Sequence, residues 1–254
     1  MDFDRTDFIM SSKKTANDEI RHRLRLKNTF DNRYKNDNIR PILPNQSLIE
    51  KCLIPDEALS ISALNDLYLY LYSLDNESEF DKFCETFPYD IFLQFIISLP
   101  ENSQRNFALL IFSRASGSDY FPISYSQDAS ILGFFASLLS SLQSDEIDST
   151  LFIISRLITQ NPECAAFFVA SVNLHKKLQF TKATQEFARI LAILSEYHPE
   201  SLQPTLELIP LCFQVHDHDT IYFALLALKF AIQNVPDLAE MVLSMIGMYL
   251  ELIF

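Results

Sequence analysis

The chain has 254 residues, 48% of them hydrophobic, with three glycines, eleven prolines, no tryptophan and a formal charge of −13. That apolar fraction is enough for a sizeable core, while so few glycines exclude a glycine-rich phosphate loop and argue against tight-turned sheets. The acidic balance argues against nucleic acid as a partner.

Residues 1–55 are polar and rich in Asn, Asp, Lys and Arg. Nine Lys/Arg against four acids fall between positions 13 and 40, a local +5 that leaves −18 on the rest. A basic head on an acidic body reads as a flexible arm, with one short helix expected near Asn17–Lys27. The first residues, Met1-Asp2-Phe3-Asp4-Arg5, are acidic where a signal peptide is basic and then apolar. Pro41, Pro44 and Pro55 mark a linker into the folded part, 56–254.

Beyond the linker nearly every segment carries helical periodicity. Leu64, Leu67, Leu71 and Leu74 form one stripe. Helices are predicted next at Glu79–Thr86 and Tyr89–Leu99. Pro100-Glu101-Asn102 opens another, whose apolar run Phe107–Phe112 ends at Ala115-Ser116-Gly117. Residues 128–143 follow, then a helix with Ile147, Leu151, Ile154 and Ile158 on one face.

From there a period appears. Pro162, Pro199 and Pro236 stand 37 residues apart, each followed by an acid (Glu163, Glu200, Asp237). Each pair suits a helix start, because proline fits the first turn and an acid complements the macrodipole. The stops fall at Asn161, His198 and Val235. The phase extends to Val169, Leu206 and Leu243, to Val172, Ile209 and Ile246, and to Leu191 with Leu228. Self-similarity at this period predicts an all-α solenoid of about four to five stacked units. A solenoid presents a long surface to peptides or proteins.

Little in the chain points to catalysis, and it reads as no enzyme. There is no Gly-x-Ser-x-Gly elbow, and no Cys–His arrangement is recognisable. His216-Asp217-His218-Asp219 could supply metal ligands but has no third cluster to complete a site, so it reads as an exposed loop. Neither metal nor cofactor is predicted. Tyr68-Leu69-Tyr70-Leu71-Tyr72 reads as a helix with one buried and one half-buried face. Cys52, Cys84, Cys164 and Cys212 lack a CxxC pair and read as buried, reduced thiols of an intracellular protein. The longest apolar run, Ile221–Ile232, is interrupted by Lys229 and falls short of the about 18 residues that span a bilayer. No membrane association is expected.

Several stretches resemble the armadillo repeats of importin-α. Leu109-Leu110-Ile111-Phe112-Ser113-Arg114-Ala115-Ser116-Gly117 sits where that family has a concave helix reading roughly Trp-Ala-Leu-x-Asn-Ile-Ala-Ser-Gly. Asn161-Pro162-Glu163-Cys164, with Leu178-Gln179-Phe180 at the far end, is similar to the family's next repeat. Ile209-Pro210-Leu211 through Ala227-Leu228-Lys229-Phe230 is similar to a later one, and Leu64–Phe95 has the helix order of the first. Glu19-Ile20-Arg21-His22-Arg23 and Arg33-Tyr34-Lys35 look like a shortened importin-β-binding segment.

The resemblance implies an armadillo-type right-handed α-α superhelix behind a flexible basic arm. It also implies an adaptor in nuclear protein import, shuttling between cytoplasm and nucleus. Its concave face would hold a nuclear localisation signal or another extended peptide. Arg21, Arg23, Arg25, Lys27, Arg33 and Lys35 would contact an importin-β-like receptor, and the acidic body could draw the arm into the groove as an internal mimic of cargo.

The family grips its peptide with a Trp–Asn ladder. The Trp positions fall here on Leu109, Phe152, Arg189 and Leu226, the Asn positions on Ser113, Arg156, Ile193 and Phe230, and the signal-binding acid on Gln160, with Gly117 closing the first concave helix. None of the ladder positions keeps its Trp or Asn, and Arg156 and Arg189 would repel basic cargo. The alternative is therefore a degenerate armadillo interaction scaffold that does not read nuclear localisation signals. The last helix, Met241–Phe254, finishes on bare apolar residues, and a partner or further repeats are expected to cover it.

Overall fold

The computed structural model describes residues 46–54, 56–74, 76–140, 144–179, 181, 183–215 and 217–253. Among these residues there are 13 α-helices and four short 3-10 turns, and no strand. The expectation of an all-α chain is met. They fall into two compact units that divide between Phe121 and Pro122. The arm residues Arg21, Arg23, Arg25, Lys27, Arg33 and Lys35 lie outside the described residues, as does His216.

The first unit contains α1 (Gln46–Cys52), α2 (Glu57–Ser73), α3 (Glu77–Thr86), α4 (Tyr89–Ser98) and α5 (Ser103–Ser116). Three of these start on short polar caps, as the local chemistry requires. Asp56 accepts from the Leu59 amide, Asn76 from that of Ser78 and Asn102 from that of Arg105. The stripe Leu64, Leu67 and Leu71 is fully buried, and α2 packs on α1 and α5.

Helix α1 lies within the stretch that the sequence reading gave to the arm, 1–55. Residues 46–52 belong to the folded part: Cys52 is buried and its carbonyl accepts a hydrogen bond from the Ser60 hydroxyl. The helix's apolar residues Leu48, Ile49 and Cys52 are too few to stand out in sequence.

An aromatic cluster fills the rest of this unit. Phe87 meets Tyr89 and Phe92 at ring-centroid distances of 5.0 Å each, and Tyr89 meets Phe121 at 5.8 Å. The Tyr89 hydroxyl lies 2.9 Å from the Ala115 carbonyl and 2.9 Å from Ser118 Oγ. It thereby adds a second bond to a carbonyl in the last turn of α5 that also accepts from the Ser118 amide at 3.1 Å.

The second unit contains α6 (Ala129–Ser140), α7 (Ser144–Gln160), α8 (Ala165–Val172), α9 (Leu174–Gln179), α10 (Gln185–Tyr197), α11 (Leu202–Phe213), α12 (His218–Asn234) and α13 (Ala239–Ile253). The 37-residue phase is present in the backbone. The amides of Asn161, His198 and Val235 each close their helix on the carbonyl four residues back, all at 2.9 Å. Each of these residues leaves the helical region, and a proline then opens a 3-10 turn: Pro162–Cys164, Pro199–Ser201 and Pro236–Leu238. The turns close alike, with Cys164, Ser201 and Leu238 amides donating to Asn161, His198 and Val235 carbonyls at 3.1, 2.9 and 3.0 Å.

Packing follows the same phase. Helix α10 packs on α7 before it and α12 after it, and α11 packs on α9, α10 and α12. Asn173, at φ 50°, turns left-handed and separates α8 from α9. Asparagine is among the few non-glycine residues that take this conformation without large strain.

Candidate protein-binding surface

The ladder positions named from sequence lie on α5, α7, α10 and α12. They do not form an exposed strip on either unit. Leu109, Ser113 and Gly117 of the first unit are buried, and so are Phe152, Arg156, Arg189, Ile193, Leu226 and Phe230 of the second. Only Gln160, at the end of α7, is half-buried. Six of the ten are Leu, Ile, Phe or Gly, and such residues gain more from leaving water than from waiting for a peptide. Gly117 closes α5 in a right-handed conformation, so its role there does not depend on glycine's freedom.

The buried arginine on α10 has an internal partner set. Arg189 is 1% exposed and donates through Nη1 to Glu186. The Ser155 hydroxyl on α7 donates to the same Glu186 carboxylate at 2.6 Å. From α12, Phe223 presents its ring 4.7 Å from the guanidinium carbon, a cation–π contact. Burial lowers the arginine's proton affinity, and Glu186 partly restores it. Helices α7, α10 and α12 thus meet at one charge. Its Nε and Nη2 have no hydrogen-bond partner.

Groups with catalytic potential are held in structural roles. His175 Nε2 lies 2.9 Å from Thr205 Oγ1, a spacing that could suit a base and its nucleophile. The threonine proton, however, goes to the Ser201 carbonyl at 2.7 Å, so the histidine must donate to the hydroxyl. Both residues are buried, and burial lowers the imidazole's pKa. Burial also raises the thiols of Cys52, Cys164 and Cys212 to about 12 and that of Cys84 to about 11, far from the thiolate that a nucleophile needs. Asp217 caps α12, accepting from the amide and the hydroxyl of Thr220 at 2.9 and 2.6 Å. No group of three or more His, Cys, Asp or Glu side chains among the described residues could hold a metal ion.

A partly exposed patch on the first unit was not singled out as a site in the sequence. Tyr68 and Tyr72 of α2 meet at 4.3 Å with their rings tilted by 42°, and Tyr68 also meets Phe107 of α5 at 6.4 Å. Arg114 of α5 lies over the Phe80 ring at 4.6 Å and the Tyr72 ring at 5.7 Å. All five residues are half-buried. Burial holds the Tyr72 phenol protonated well above its ordinary range and lowers Arg114. Aromatic faces with one cation beside them suit protein recognition, since they bury area at little entropic cost. The signal available in sequence was the i, i+4 spacing of Tyr68 and Tyr72, which puts both on one helix face. Nearby, the acids Glu77, Asp81 and Glu85 line an open depression together with Asn76, Ser78, Lys82 and Tyr120.

No helix among the described residues is long and apolar enough to cross a membrane. No protein-family model matches the chain, and no curated protein matches it.

Proposed function

We propose that this chain is a non-catalytic, protein-binding scaffold of armadillo-type helical repeats, one that does not read lysine-rich nuclear localisation signals. The observation that carries the reading is the threefold return, every 37 residues, of the same helix stop and 3-10 restart. Repeats of this kind stack into extended surfaces that bind proteins. The burial of the ladder positions favours the scaffold over the signal-reading adaptor. An extended basic peptide needs aromatic faces, amides and carboxylates along its path, and buried leucine, phenylalanine and arginine supply none of them.

Calorimetric titration of the full chain with a lysine-rich signal peptide and with an acidic peptide of equal length tests this reading. The scaffold reading expects no preference for the lysine-rich peptide. A preference of about tenfold or more, worth about 1.4 kcal/mol, would overturn it.

The adaptor reading resembling importin-α rests on the nine Lys/Arg of residues 13–40. In that reading the basic segment binds an importin-β-like receptor and the protein works in both cytoplasm and nucleus. Its test is a titration of the 1–50 peptide with importin-β at low salt, where charge pairing is least screened. Absence of binding there removes the adaptor role.

A further inference from the structure

Two arginines of the described residues are matched to an acid: Arg105 pairs with Glu101 at 3.6 Å, and the buried Arg189 with Glu186. Arg114, in the last turn of α5, differs. Its guanidinium carbon lies 4.6 Å from the Phe80 ring centre and 5.7 Å from that of Tyr72. Among the described residues it has neither a carboxylate nor another hydrogen-bond acceptor, and its Nε is buried without a partner. Rings attract the charge but offer no lone pair to the N–H fork, so the donors stay unused. Burial lowers the guanidinium's proton affinity, and the groups that act against this are the Tyr72 phenol and the Cys84 thiol, both uncharged at neutral pH.

The surroundings indicate what would match it. Contacts between α2 and α5 advance together along both helices. Asn102 donates to Glu57 at 3.1 Å and Gln104 to Ser60 at 2.8 Å; further on, Tyr68 meets Phe107 and Arg114 reaches Tyr72. The two helices thus lie side by side, pointing the same way, and end in a half-buried row of rings with one cation at its edge. A ligand must bring negative charge to Arg114 and an apolar face to the row. A doubly charged phosphate calls for a cluster of cations, and Arg114 is the one cation of this row. Runs of acids are opposed by Glu77, Asp81 and Glu85 of the neighbouring α3. A single carboxylate fits the guanidinium fork and meets the least repulsion.

We infer that Arg114 anchors a binding site for a single aspartate or glutamate side chain of a partner polypeptide, whose adjoining aromatic residue covers Tyr68 and Phe107. The inference rests on the protein-binding reading and names the chemistry of the partner. A small free carboxylate would pair with the arginine and leave the rings in water, so a polypeptide gains more from the site. A second copy presenting the same patch would bring two guanidinium groups together, and like charges repel. The chain's own residues 13–40 carry a net positive charge, the wrong sign for this site.

The test uses the full chain and, as probe, the peptide Gly-Ser-Asp-Phe-Ser-Gly with an amidated C-terminus and an uncharged fluorophore, followed by anisotropy. Saturable binding at one peptide per chain is expected. Exchanging the peptide's Asp for Asn should weaken it by at least about tenfold, equivalent to about 1.4 kcal/mol, and exchanging its Phe for Ala should weaken it too. Arg114→Met keeps the bulk without the charge and should abolish the preference for Asp over Asn, while Arg114→Lys should retain part of it. Lys176→Met, at an exposed position of the second unit, should change nothing. Far-UV circular dichroism verifies the fold of each variant. Failure to saturate, equal binding of the Asn peptide, or indifference to Arg114→Met overturns the inference and leaves the protein-binding reading standing. A preference for lysine-rich peptide overturns that reading instead, and this inference with it. Equal affinity for free phenylacetate also overturns the inference, because the site is then one for small carboxylates. So does binding that appears only after Asp2→Asn, Asp4→Asn and Asp7→Asn together, because the occupant is then the chain's own residues 2–7.

Discussion

His198 Nε2 and the carbonyl oxygen of Pro162 lie 2.8 Å apart although 36 residues separate them in the chain. The bond joins the restart of one repeat to the restart of the one before it. Asn161 makes the corresponding link backwards to the Ser126 carbonyl at 3.3 Å, and Asn234 reaches the carbonyls of Ser195 and Glu196 at 2.7 and 3.0 Å. At each junction a polar side chain at the helix end thus ties its unit to the preceding one. Apolar burial stacks the repeats, and these directional bonds fix the register in which they stack.

Replacing His198 should therefore loosen one junction without emptying the core. His198→Ala is expected to lower stability by about 1 kcal/mol, the typical net worth of one such bond. His198→Asn should recover most of that loss, because asparagine performs the same task at position 161. Urea denaturation curves of the three proteins decide the matter. Equal midpoints for wild type and His198→Ala would show that the bond does not couple the repeats.

Breaking the charge cluster on α10 should cost more. Glu186→Ala removes the carboxylate bonded to the buried Arg189, leaving it the Phe223 ring and the charge of Asp219, and should destabilise by about 3–5 kcal/mol. The double change Glu186→Ala with Arg189→Met removes the stranded charge and should be the more stable of the two. A double-mutant cycle by chemical denaturation measures this coupling. If the double variant were less stable than Glu186→Ala, Arg189 would be stabilising without its carboxylate.

The period was legible in the sequence because its signals are local: proline cannot continue a helix, and an acid favours the next start. Three Pro-acid pairs became three 3-10 restarts. The ladder positions show where local reasoning stops. Their spacing on α7, α10 and α12 is readable, but whether Phe152 or Ile193 faces water depends on the helices packed beside it. Arg189 is harder still: Glu186 is three residues away, but Phe223, whose ring meets the guanidinium, and Ser155, which donates to Glu186, each lie 34 residues from Arg189 in sequence. Helix α1 was missed for the opposite reason: it has one buried anchor, Cys52, and no stripe. Tyr68 and Tyr72 carried a visible spacing, but only the position of Arg114 on α5 makes them a patch.

The cysteines should be chemically silent in the native protein. A thiol with a pKa of about 12 is about one part in ten thousand thiolate at pH 8. Cys84, raised to about 11, follows the same logic. Incubation with a thiol-specific reagent at pH 8 should label none of the four within minutes, while all four should react in denaturant. Mass spectrometry counts the adducts. Rapid native labelling of any one would mean that its helix opens readily or that the thiol is not buried.

Acid should weaken the fold in two steps with different causes. Burial beside Thr205 depresses His175 below its ordinary value of 6.5, so the unfolded chain takes up this proton first as pH falls. The advantage of the neutral ring is complete above about pH 6.5 and is lost as pH falls through the folded value. Glu200 acts lower: its own backbone amide and His198 hold its carboxyl below the usual 4.5. Its contribution is present above that pH and disappears as pH falls through the depressed value. Its exposure keeps the effect small. Urea midpoints from pH 7.5 down to 3 should fall first near pH 6.5 in the wild type. His175→Asn should flatten that first fall and leave the lower one, while Glu200→Gln should soften only the lower. A first fall that persists in His175→Asn would assign it to another group.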